Sequence, residues 1–231
     1  MTPPRLSLVI PCYRERLALP DLVRRCAALT QAADCEVILV ENGSGDGSAD
    51  LLTRLRAPHP RVRAVMLAEN AGYGGGILAG LRAARGAILG WTHADGQTDP
   101  ADALRALPLL ETAPTAFVKG RRAGRPLRDL AFTAGMSALE LALLGVPMWD
   151  INAQPTLFPR GFYAGWTDPP QDFSLDLFAF VAARRQARPI LRLPVQFPPR
   201  ASGEGNHDTL AGRLRTSRRT ATYSVLLRRR L

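Results

Sequence analysis

Residues 70–76 read Asn-Ala-Gly-Tyr-Gly-Gly-Gly, and residues 93–100 read His-Ala-Asp-Gly-Gln-Thr-Asp-Pro. One predicted helix, 75–84, and one predicted strand, 87–92, lie between these two motifs. Because glycine has no Cβ atom, a glycine run allows a backbone to pass very close to a ligand. Acidic residues at the end of a strand can hold a divalent cation on a diphosphate. The two motifs together indicate a site for a nucleotide sugar.

The segments around these motifs alternate between strand and helix. Apolar runs predict strands at 6–10, 36–40, 62–67 and 87–92, and the intervening segments predict helices at 19–33, 48–56 and 75–84. Further on, the pattern predicts helices at 100–110, 127–144, 173–184 and 210–227, strands at 115–119 and 190–197, an irregular or strand-like segment at 150–159 and a Pro- and Gly-rich loop at 198–208. This order specifies an α/β fold with a mostly parallel central sheet flanked by helices. Ligands of such sheets bind beyond the carboxyl ends of the strands, where each polar motif lies.

Two more motifs complete a recognisable set: Ser-Leu-Val-Ile-Pro-Cys-Tyr-Arg-Glu at 7–15 and Val-Ile-Leu-Val-Glu-Asn-Gly-Ser-Gly-Asp-Gly-Ser at 37–48. With all four in order, the sequence resembles glycosyltransferase family 2, the inverting enzymes with the Rossmann-like GT-A fold. It is most similar to the dolichol-phosphate or polyprenyl-phosphate mannosyltransferase branch of that family. The resemblance implies one GT-A domain over residues 1–208. A basic C-terminal helix, 209–231, then belongs to the same domain or faces a membrane.

The resemblance also implies which residues bind the nucleotide sugar. These are Pro11, Tyr13, Glu15, Glu41, Asn42, Asp46, Asn70, Gly74, Ala94 and Arg121. Carboxylates and amides such as Glu41 and Asn42 can bind ring N–H groups and ribose hydroxyls. Many relatives have two aspartates at those two positions, so the identity of the base stays open. For Asp46, capping of the following helix is the alternative.

A metal site is implied at His93, Asp95 and Gln97, where relatives carry Asp-x-Asp-x-Gln. Alternation along an extended segment would point these three side chains to one side. The resemblance implies a divalent cation, Mg²⁺ or Mn²⁺. Magnesium prefers oxygen ligands, whereas imidazole suits manganese-like ions, so His93 can shift the choice of metal. A hydrogen-bonding role beside the metal is the alternative for His93.

The glycine run is predicted to precede a helix whose first N–H groups face an anion. Its alternative is a tight turn that needs glycine only for a positive φ. Because a turn needs fewer glycines than this run contains, we favour the ligand.

Catalysis is expected from Asp95, Arg200 and Asp176. Arg200 lies in a segment similar to the arginine-and-glycine loop that closes over the donor diphosphate in the family. Asp176, with Asp150 and Gln154, is expected to orient the acceptor. An arginine run follows the predicted strand 115–119 and includes Arg121, Arg122, Arg125 and Arg128. At least one of these arginines is expected to contact a phosphate, and a solvated charged face is the alternative.

The predicted function is inverting, metal-assisted transfer of a sugar from a nucleotide diphosphate to a polyprenyl phosphate. One alternative is transfer to a saccharide hydroxyl, which needs a carboxylate base among Asp150, Asp172 and Asp176. Another is a non-catalytic protein that binds sugar nucleotides.

Bulk properties agree with an anionic partner. The 231 residues carry a formal net charge of +10, and Lys119 is the only lysine. Three cysteines without CxxC spacing and the lack of a secretory pattern predict a cytoplasmic chain. The arginine-rich C-terminal helix makes a membrane surface an expected partner, which leaves open a peripheral position on the inner face of the cell membrane. Nucleic-acid binding is not expected, because interleaved aromatic residues are lacking. The oligomeric state stays open.

Overall fold

The computed structural model describes residues 2–124, 127–196 and 210–230. Seven strands and eight helices alternate along these ranges. The strands are β1 (Leu6–Cys12), β2 (Cys35–Asn42), β3 (Val62–Leu67), β4 (Ile88–Trp91), β5 (Phe117–Ala123), β6 (Thr156–Pro159) and β7 (Ile190–Gln196). The helices are α1 (Leu19–Ala32), α2 (Ser48–Arg56), α3 (Gly72–Ala83), α4 (Asp102–Thr112), α5 (Leu127–Leu144), α6 (Arg160–Ala164), α7 (Leu175–Arg185) and α8 (Leu210–Arg230).

The strands form one seven-stranded sheet in the order β3-β2-β1-β4-β6-β5-β7. Only β6 is antiparallel to its neighbours, β4 and β5. The carboxyl ends of the parallel strands therefore meet at one edge, and the amino end of β6 joins them there. This arrangement confirms the predicted α/β fold with a mostly parallel sheet.

Two apolar cores form because the sheet is covered on both faces. In β1, Leu8 and Ile10 lie in the core beneath α1 and α4, whereas Val9 lies in the core beneath α3 and α7. Successive side chains of a strand point to opposite faces, so a strand covered on both sides is apolar throughout. Burial of one such side chain contributes about 1.5–3 kcal/mol. The three cysteines are buried free thiols in the first core, and burial raises the pKa of Cys35 to about 11.

Several predicted boundaries differ from the structure. Helix α3 begins at Gly72 rather than at residue 75, and α7 begins at Leu175 rather than at residue 173. Strand β4 ends at Trp91, one residue before the predicted end. The predicted loop at 198–208 lies outside the described residues.

The C-terminal helix α8 packs along α5. Leu227 of α8 is buried in the second core, and Ser224 Oγ donates a 2.6 Å hydrogen bond to Glu140 Oε2 of α5. Across the described ranges, no helix combines the length and the apolarity that a bilayer crossing needs.

Glu140 makes the stability of this helix pair dependent on pH. Burial raises the pKa of its carboxyl group, and the Ser224 hydrogen bond opposes the rise. A carboxyl group that holds its proton more tightly in the folded state costs stability above its folded pKa, and the cost vanishes below its unfolded pKa. We expect Glu140→Gln to raise Tm at about pH 8 and to leave Tm unchanged near pH 4, as measured by circular dichroism. Glu69→Gln, at an exposed carboxylate, is the matched control and should change Tm little at either pH. If Glu140→Gln raised Tm equally at both pH values, the expectation would be contradicted.

Candidate functional site

The loops after β1 and β2 meet the start of α3 at the carboxyl edge of the sheet. Arg14 N donates a 3.0 Å hydrogen bond to Ser44 Oγ, which joins the first two loops. Asn42 Oδ1 accepts from Ala71 N at 3.0 Å, and Asn42 Nδ2 donates to Gly72 O at 3.0 Å. The side chain of Asn42 thus fixes the point at which α3 begins.

Glu41 shapes its own loop. Its buried carboxylate accepts from Ser44 N at 2.8 Å and from Gly43 N at 3.2 Å. A buried carboxylate needs such donors, because an unpaired buried charge is costly. Both Glu41 and Asn42 therefore have structural partners, and their contact with a nucleotide stays a prediction.

Asp46 has a hydrogen-bond partner at the start of α2, where Gly47 occupies the N-cap position and no side chain caps the helix. Its Oδ1 accepts from Ser48 N at 3.0 Å, at the first residue of α2. The hydrogen bonds of Ser48 hold the pKa of Asp46 below its ordinary value. The contact of Asp46 with the nucleotide sugar stays a prediction.

Tyr13 is the best placed of the predicted residues to meet a base. Its ring is 39% exposed, and Arg14 Cζ lies 5.2 Å from the ring centroid. Pro11 is half-buried and faces Gly76, while the carbonyl oxygen of Glu15 accepts from Ala18 N at the start of α1. An exposed aromatic ring at this edge can stack on a nucleobase.

The structure corrects the explanation given for the glycine run. The glycines form the first turn of α3 instead of a loop before it. Gly72, Gly74 and Gly75 face the chain's own segment 170–172, whereas Gly76 faces Asn42 and Pro11. Gly75 N donates to Gln171 O at 2.8 Å, and Gly72 N donates to Asn70 Oδ1 at 2.8 Å. Together with Ala71 N on Asn42, these bonds occupy N–H groups that were predicted to face an anion. Direct contact of Gly74 and Asn70 with a nucleotide stays a prediction.

Gly74 tests this explanation directly. A Cβ atom there would lie 2.6 Å from Pro170 O and 2.7 Å from Asp172 O, both of which are backbone atoms. We expect Gly74→Ala to lower the free energy of unfolding by about 1–3 kcal/mol without any ligand, as overpacking does. Urea denaturation measures the change.

Gly135→Ala is the control for this substitution. Gly135 lies within α5 and has open space around it, so alanine there should stabilise the helix by about 0.5–1 kcal/mol. Unchanged stability of Gly74→Ala would show that segment 170–172 yields easily, and would return the glycines to the ligand hypothesis.

The predicted metal-binding segment is bent rather than extended. The chain turns at residues 94–98, where Gln97 N donates to Asp95 Oδ1 at 3.1 Å and the hydroxyls of Thr92 and Thr98 lie 3.0 Å apart. The argument from strand alternation was therefore wrong. Ala94 is buried beneath this bend. Within the described part of the chain, no three His, Cys, Asp or Glu side chains converge as a metal-binding group.

His93 and Asp95 nevertheless offer donor atoms of a suitable kind. Burial lowers the pKa of His93. The charges of Asp95 and Asp176 oppose this shift, and those of Lys119 and Arg122 add to it. The imidazole is thus kept neutral, which is the form that coordinates a cation. One carboxylate, one amide and one imidazole suit Mn²⁺ at least as well as Mg²⁺.

A buried polar network lies beside His93. Lys119 is fully buried; its Nζ donates to Thr156 Oγ1 at 2.6 Å and forms a short ion pair with Asp176 Oδ1. Gln154 Nε2 donates to the same Asp176 oxygen at 3.0 Å, and Tyr73 OH donates to Asp176 Oδ2 at 3.0 Å. The network joins β5, β6, α3 and α7 at the carboxyl edge.

Asp176 has structural partners on both of its oxygens. Asp176 is 2% exposed, and three side-chain donors occupy its two oxygens. Burial and the Asp176 charge raise the pKa of Tyr73, so Tyr73 stays a hydroxyl donor. The Tyr73 ring stacks on Phe173 at 4.8 Å and lies 5.6 Å from His93. These bonds place Asp176 to orient Tyr73 and Lys119, and its catalytic role stays a prediction.

The arginine run divides between two places. Arg122 donates from its backbone N and its Nε to Asp150 at 2.9 and 2.8 Å, and its Nη2 forms a short ion pair with the same carboxylate. Arg121 is exposed and lines a pocket near the outer edge of the sheet. Arg125 and Arg200 lie outside the described residues, so their predicted roles stay predictions.

The residue that sequence reasoning missed is Lys119. Its signal is a single lysine at the end of the apolar run Ala116-Phe117-Val118, since a charge in a buried strand needs a buried partner. The partner, Asp176, is 57 residues away, so local pattern alone could not identify it.

Comparison with known proteins adds family and fold. A model of Glycosyl transferase family 2 matches residues 7–156. Undecaprenyl-phosphate 4-deoxy-4-formamido-L-arabinose transferase of Pseudomonas syringae pv. syringae (strain B728a) is 40% identical over 110 residues, which are 46% of this chain and 32% of that protein. The transferase of the same name from Yersinia enterocolitica is 38% identical over 112 residues, 46% of this chain and 34% of that protein. The match spans about a third of the length of these curated relatives.

Among solved structures, glucosyl-3-phosphoglycerate synthase from Mycobacterium tuberculosis resembles this fold. Its complex with Mn²⁺, uridine diphosphate and phosphoglyceric acid has a TM-score of 0.73 and 17% identity, and covers 97% of this chain and 78% of that one. Its complex with Mg²⁺ and uridine diphosphate has a TM-score of 0.72 and 16% identity, and covers 97% and 79% of the two chains. At this identity the likeness concerns the fold.

Proposed function

The chain belongs to glycosyl transferase family 2, and from that membership we propose that it moves a sugar, with inversion, from a nucleotide diphosphate to a polyprenyl phosphate. The observation that carries the choice of acceptor is that two of the three candidate bases are buried and paired with cations. The third, Asp172, is exposed, and its Oδ2 lies 3.5 Å from Arg219 Nη2. Asp150 is bound by Arg122, and Asp176 is bound by Lys119. Neither is available to take a proton from a sugar hydroxyl.

A phosphate acceptor does not need such a base. Its second pKa is about 6, so it is largely anionic near neutral pH. An enzyme for this acceptor must position the phosphate and compensate its charge instead of deprotonating it. The net positive charge of the chain agrees with that task.

On the donor side, Tyr13 stacks on the base, and Asp95 with Gln97 and His93 holds a divalent cation, Mn²⁺ or Mg²⁺. Such a cation compensates the charge that develops on the departing diphosphate. Arg200 is assigned to the same leaving group, on the resemblance alone. Tyr73, held by Asp176 beside His93, presents its hydroxyl next to the metal-binding segment.

The names of the relatives support this reading. The curated relatives are named for undecaprenyl phosphate, and the structural neighbours were crystallised with uridine diphosphate and Mn²⁺ or Mg²⁺. We extend these partners to this chain as a proposal, since the matched part is about a third of each curated relative.

We also propose a peripheral position at the inner face of the cell membrane. Exposed apolar side chains of α5 (Phe132, Leu139, Leu141) and of α8 (Val225, Leu226) accompany exposed arginines of α8 (Arg218, Arg228). A helix pair with this composition can lie on an anionic bilayer surface. A polyprenyl acceptor is held in such a bilayer.

A transfer assay tests the proposal. The protein is incubated with a panel of nucleotide diphosphate sugars and Mn²⁺ or Mg²⁺, with undecaprenyl phosphate in vesicles or with soluble saccharides as acceptors. We expect a glycolipid by mass spectrometry, loss of product with EDTA, and faster transfer in anionic than in neutral vesicles.

Transfer to soluble saccharides alone would contradict the lipid acceptor and select a hydroxyl acceptor, with Asp172 as its base. Asp172 is the candidate carboxylate with the greatest exposure, at 43%. Calorimetry that shows donor binding in the absence of any transfer would select a non-catalytic protein.

A further inference from the structure

A basic pocket lies between β7, α7 and the end of the α5–β6 connection. It has a volume of about 340 Å³. Its lining is Arg121, Trp149, Phe180, Arg184, Ile190 and Arg192. In the register of the sheet, Arg192 of β7 lies directly opposite Lys119 of β5. The pocket therefore lies one strand further out than the buried network.

The three arginines carry charge without a matching carboxylate. Among the described residues, no ion pair involves Arg121, Arg184 or Arg192. Arg192 Nη1 donates to Trp149 O at 2.8 Å, whereas its Nη2 is buried without a hydrogen-bond partner in that part of the chain. A buried guanidinium nitrogen with a free N–H group needs an acceptor.

Electrostatics point the same way. Burial, together with the charges of Arg121, Arg122 and Arg184, lowers the pKa of Arg192 to about 10, and the charge of Asp150 opposes this shift. The Asp150 carboxylate is already bound by Arg122. An anion in the pocket would relieve the mutual repulsion of these arginines.

We propose that this pocket binds a phosphate monoester, whose phosphoryl oxygens contact Arg121, Arg184 and Arg192. Each planar guanidinium group can bind two oxygens at once, and three such groups around one cavity match the charge and the oxygens of a phosphate monoester better than the single charge of a carboxylate. The volume exceeds the needs of a bare phosphate and lies at the lower end of the range for small-molecule sites, about 300–1,000 Å³.

The remaining volume is lined by aromatic rings that can cover the organic part of the ligand. Trp149 is 41% exposed at the mouth of the pocket. Phe180 forms the wall, with Arg184 Cζ and Arg192 Cζ at 5.8 and 5.9 Å from its ring centroid. The ligand class is therefore a phosphomonoester with an apolar or planar body, which is either a soluble metabolite or a lipid headgroup.

None of the lining residues belongs to the segment 93–97, and Arg121 is the one lining residue that the resemblance assigns to the nucleotide sugar. The pocket is therefore proposed as a site apart from the cation site. The test uses the full chain with Asp95→Asn and EDTA, which removes the proposed cation site. Phenyl phosphate is the soluble probe, measured by calorimetry. Vesicles with phosphatidic acid, against vesicles of phosphatidylcholine alone, form the lipid probe, measured by cosedimentation.

We expect at least one probe to bind in this background. Arg184→Gln and Arg192→Gln should each weaken binding about tenfold or more, because each removes a charge-assisted hydrogen bond. Arg185→Gln, at the neighbouring exposed position of α7 outside the pocket lining, should change binding less than about twofold. Binding of phenyl phosphate assigns a soluble ligand. Binding of phosphatidic acid vesicles alone assigns a lipid only if Arg184→Gln and Arg192→Gln weaken it, because helix α8 is itself proposed to bind anionic bilayers.

The proposal would be overturned if neither probe bound. It would also be overturned if Arg184→Gln and Arg192→Gln, made in the Asp95→Asn protein, bound the probe as tightly as the Asp95→Asn protein itself. If Arg192→Gln fails to fold, the exposed Arg184 decides alone. Because the cation site is removed throughout, a failed transfer assay leaves this result unaffected.

Discussion

Asp95→Asn is expected to reduce sugar transfer by about two orders of magnitude or more while the protein stays folded. The substitution keeps the shape of the side chain and removes the charge proposed to hold the cation at the donor diphosphate. Loss of one preorganised electrostatic contact with developing charge costs about 10²–10³ in rate. Asp95 is half-buried and accepts a hydrogen bond from Gln97 N, which the oxygen of an asparagine can also accept, so the protein should stay folded.

The matched control is Asp99→Asn. Asp99 lies four residues further along the same loop, is exposed, and accepts a hydrogen bond from Ala101 N before α4. Its substitution should leave the rate within about twofold. Mn²⁺ titrations of both variants, followed by initial rates, complete the measurement. If Asp95→Asn retained its turnover and its metal dependence, the cation site would have to be placed elsewhere.

The sheet could be predicted from the sequence because each of its central strands is a local signal. A run such as Leu8-Val9-Ile10 is apolar at every position, and such a short run with β-branched residues is typical of a strand covered on both faces. The order of the motifs along the chain then places their loops at one edge. Local composition and a general topological rule were sufficient for this part.

Local composition did not predict the start of α3, because glycine has a low helix propensity, about 1 kcal/mol below alanine. Tertiary contacts outweigh that cost: segment 170–172 fits against Gly74 and Gly75, and Asn42 holds the residues before them. These partners are far apart in the sequence. The same limit applies to Asp176, whose role depends on Lys119 and Tyr73.

The Lys119–Asp176 pair is expected to have the largest effect on stability. Lys119→Met keeps the length of the apolar stem and removes the ammonium group, which leaves the Asp176 carboxylate 2% exposed without its cation. Breaking one side of a buried ion pair costs about 3–5 kcal/mol. For a domain of this size we expect Tm to fall by about 10 °C, measured by thermal denaturation.

A double-mutant cycle separates the charge from the packing. Asp176→Asn removes the negative charge but keeps one acceptor oxygen, so it can accept from Tyr73 or from Gln154, which donate to different oxygens of Asp176. Lys119→Met with Asp176→Asn should therefore regain part of the loss. If the double variant is no more stable than Lys119→Met, the cost arises from lost packing around Lys119, and the ion pair contributes little. Because the same oxygens orient Tyr73 beside His93, recovered stability without recovered transfer would separate the positioning role of Asp176 from its part in folding.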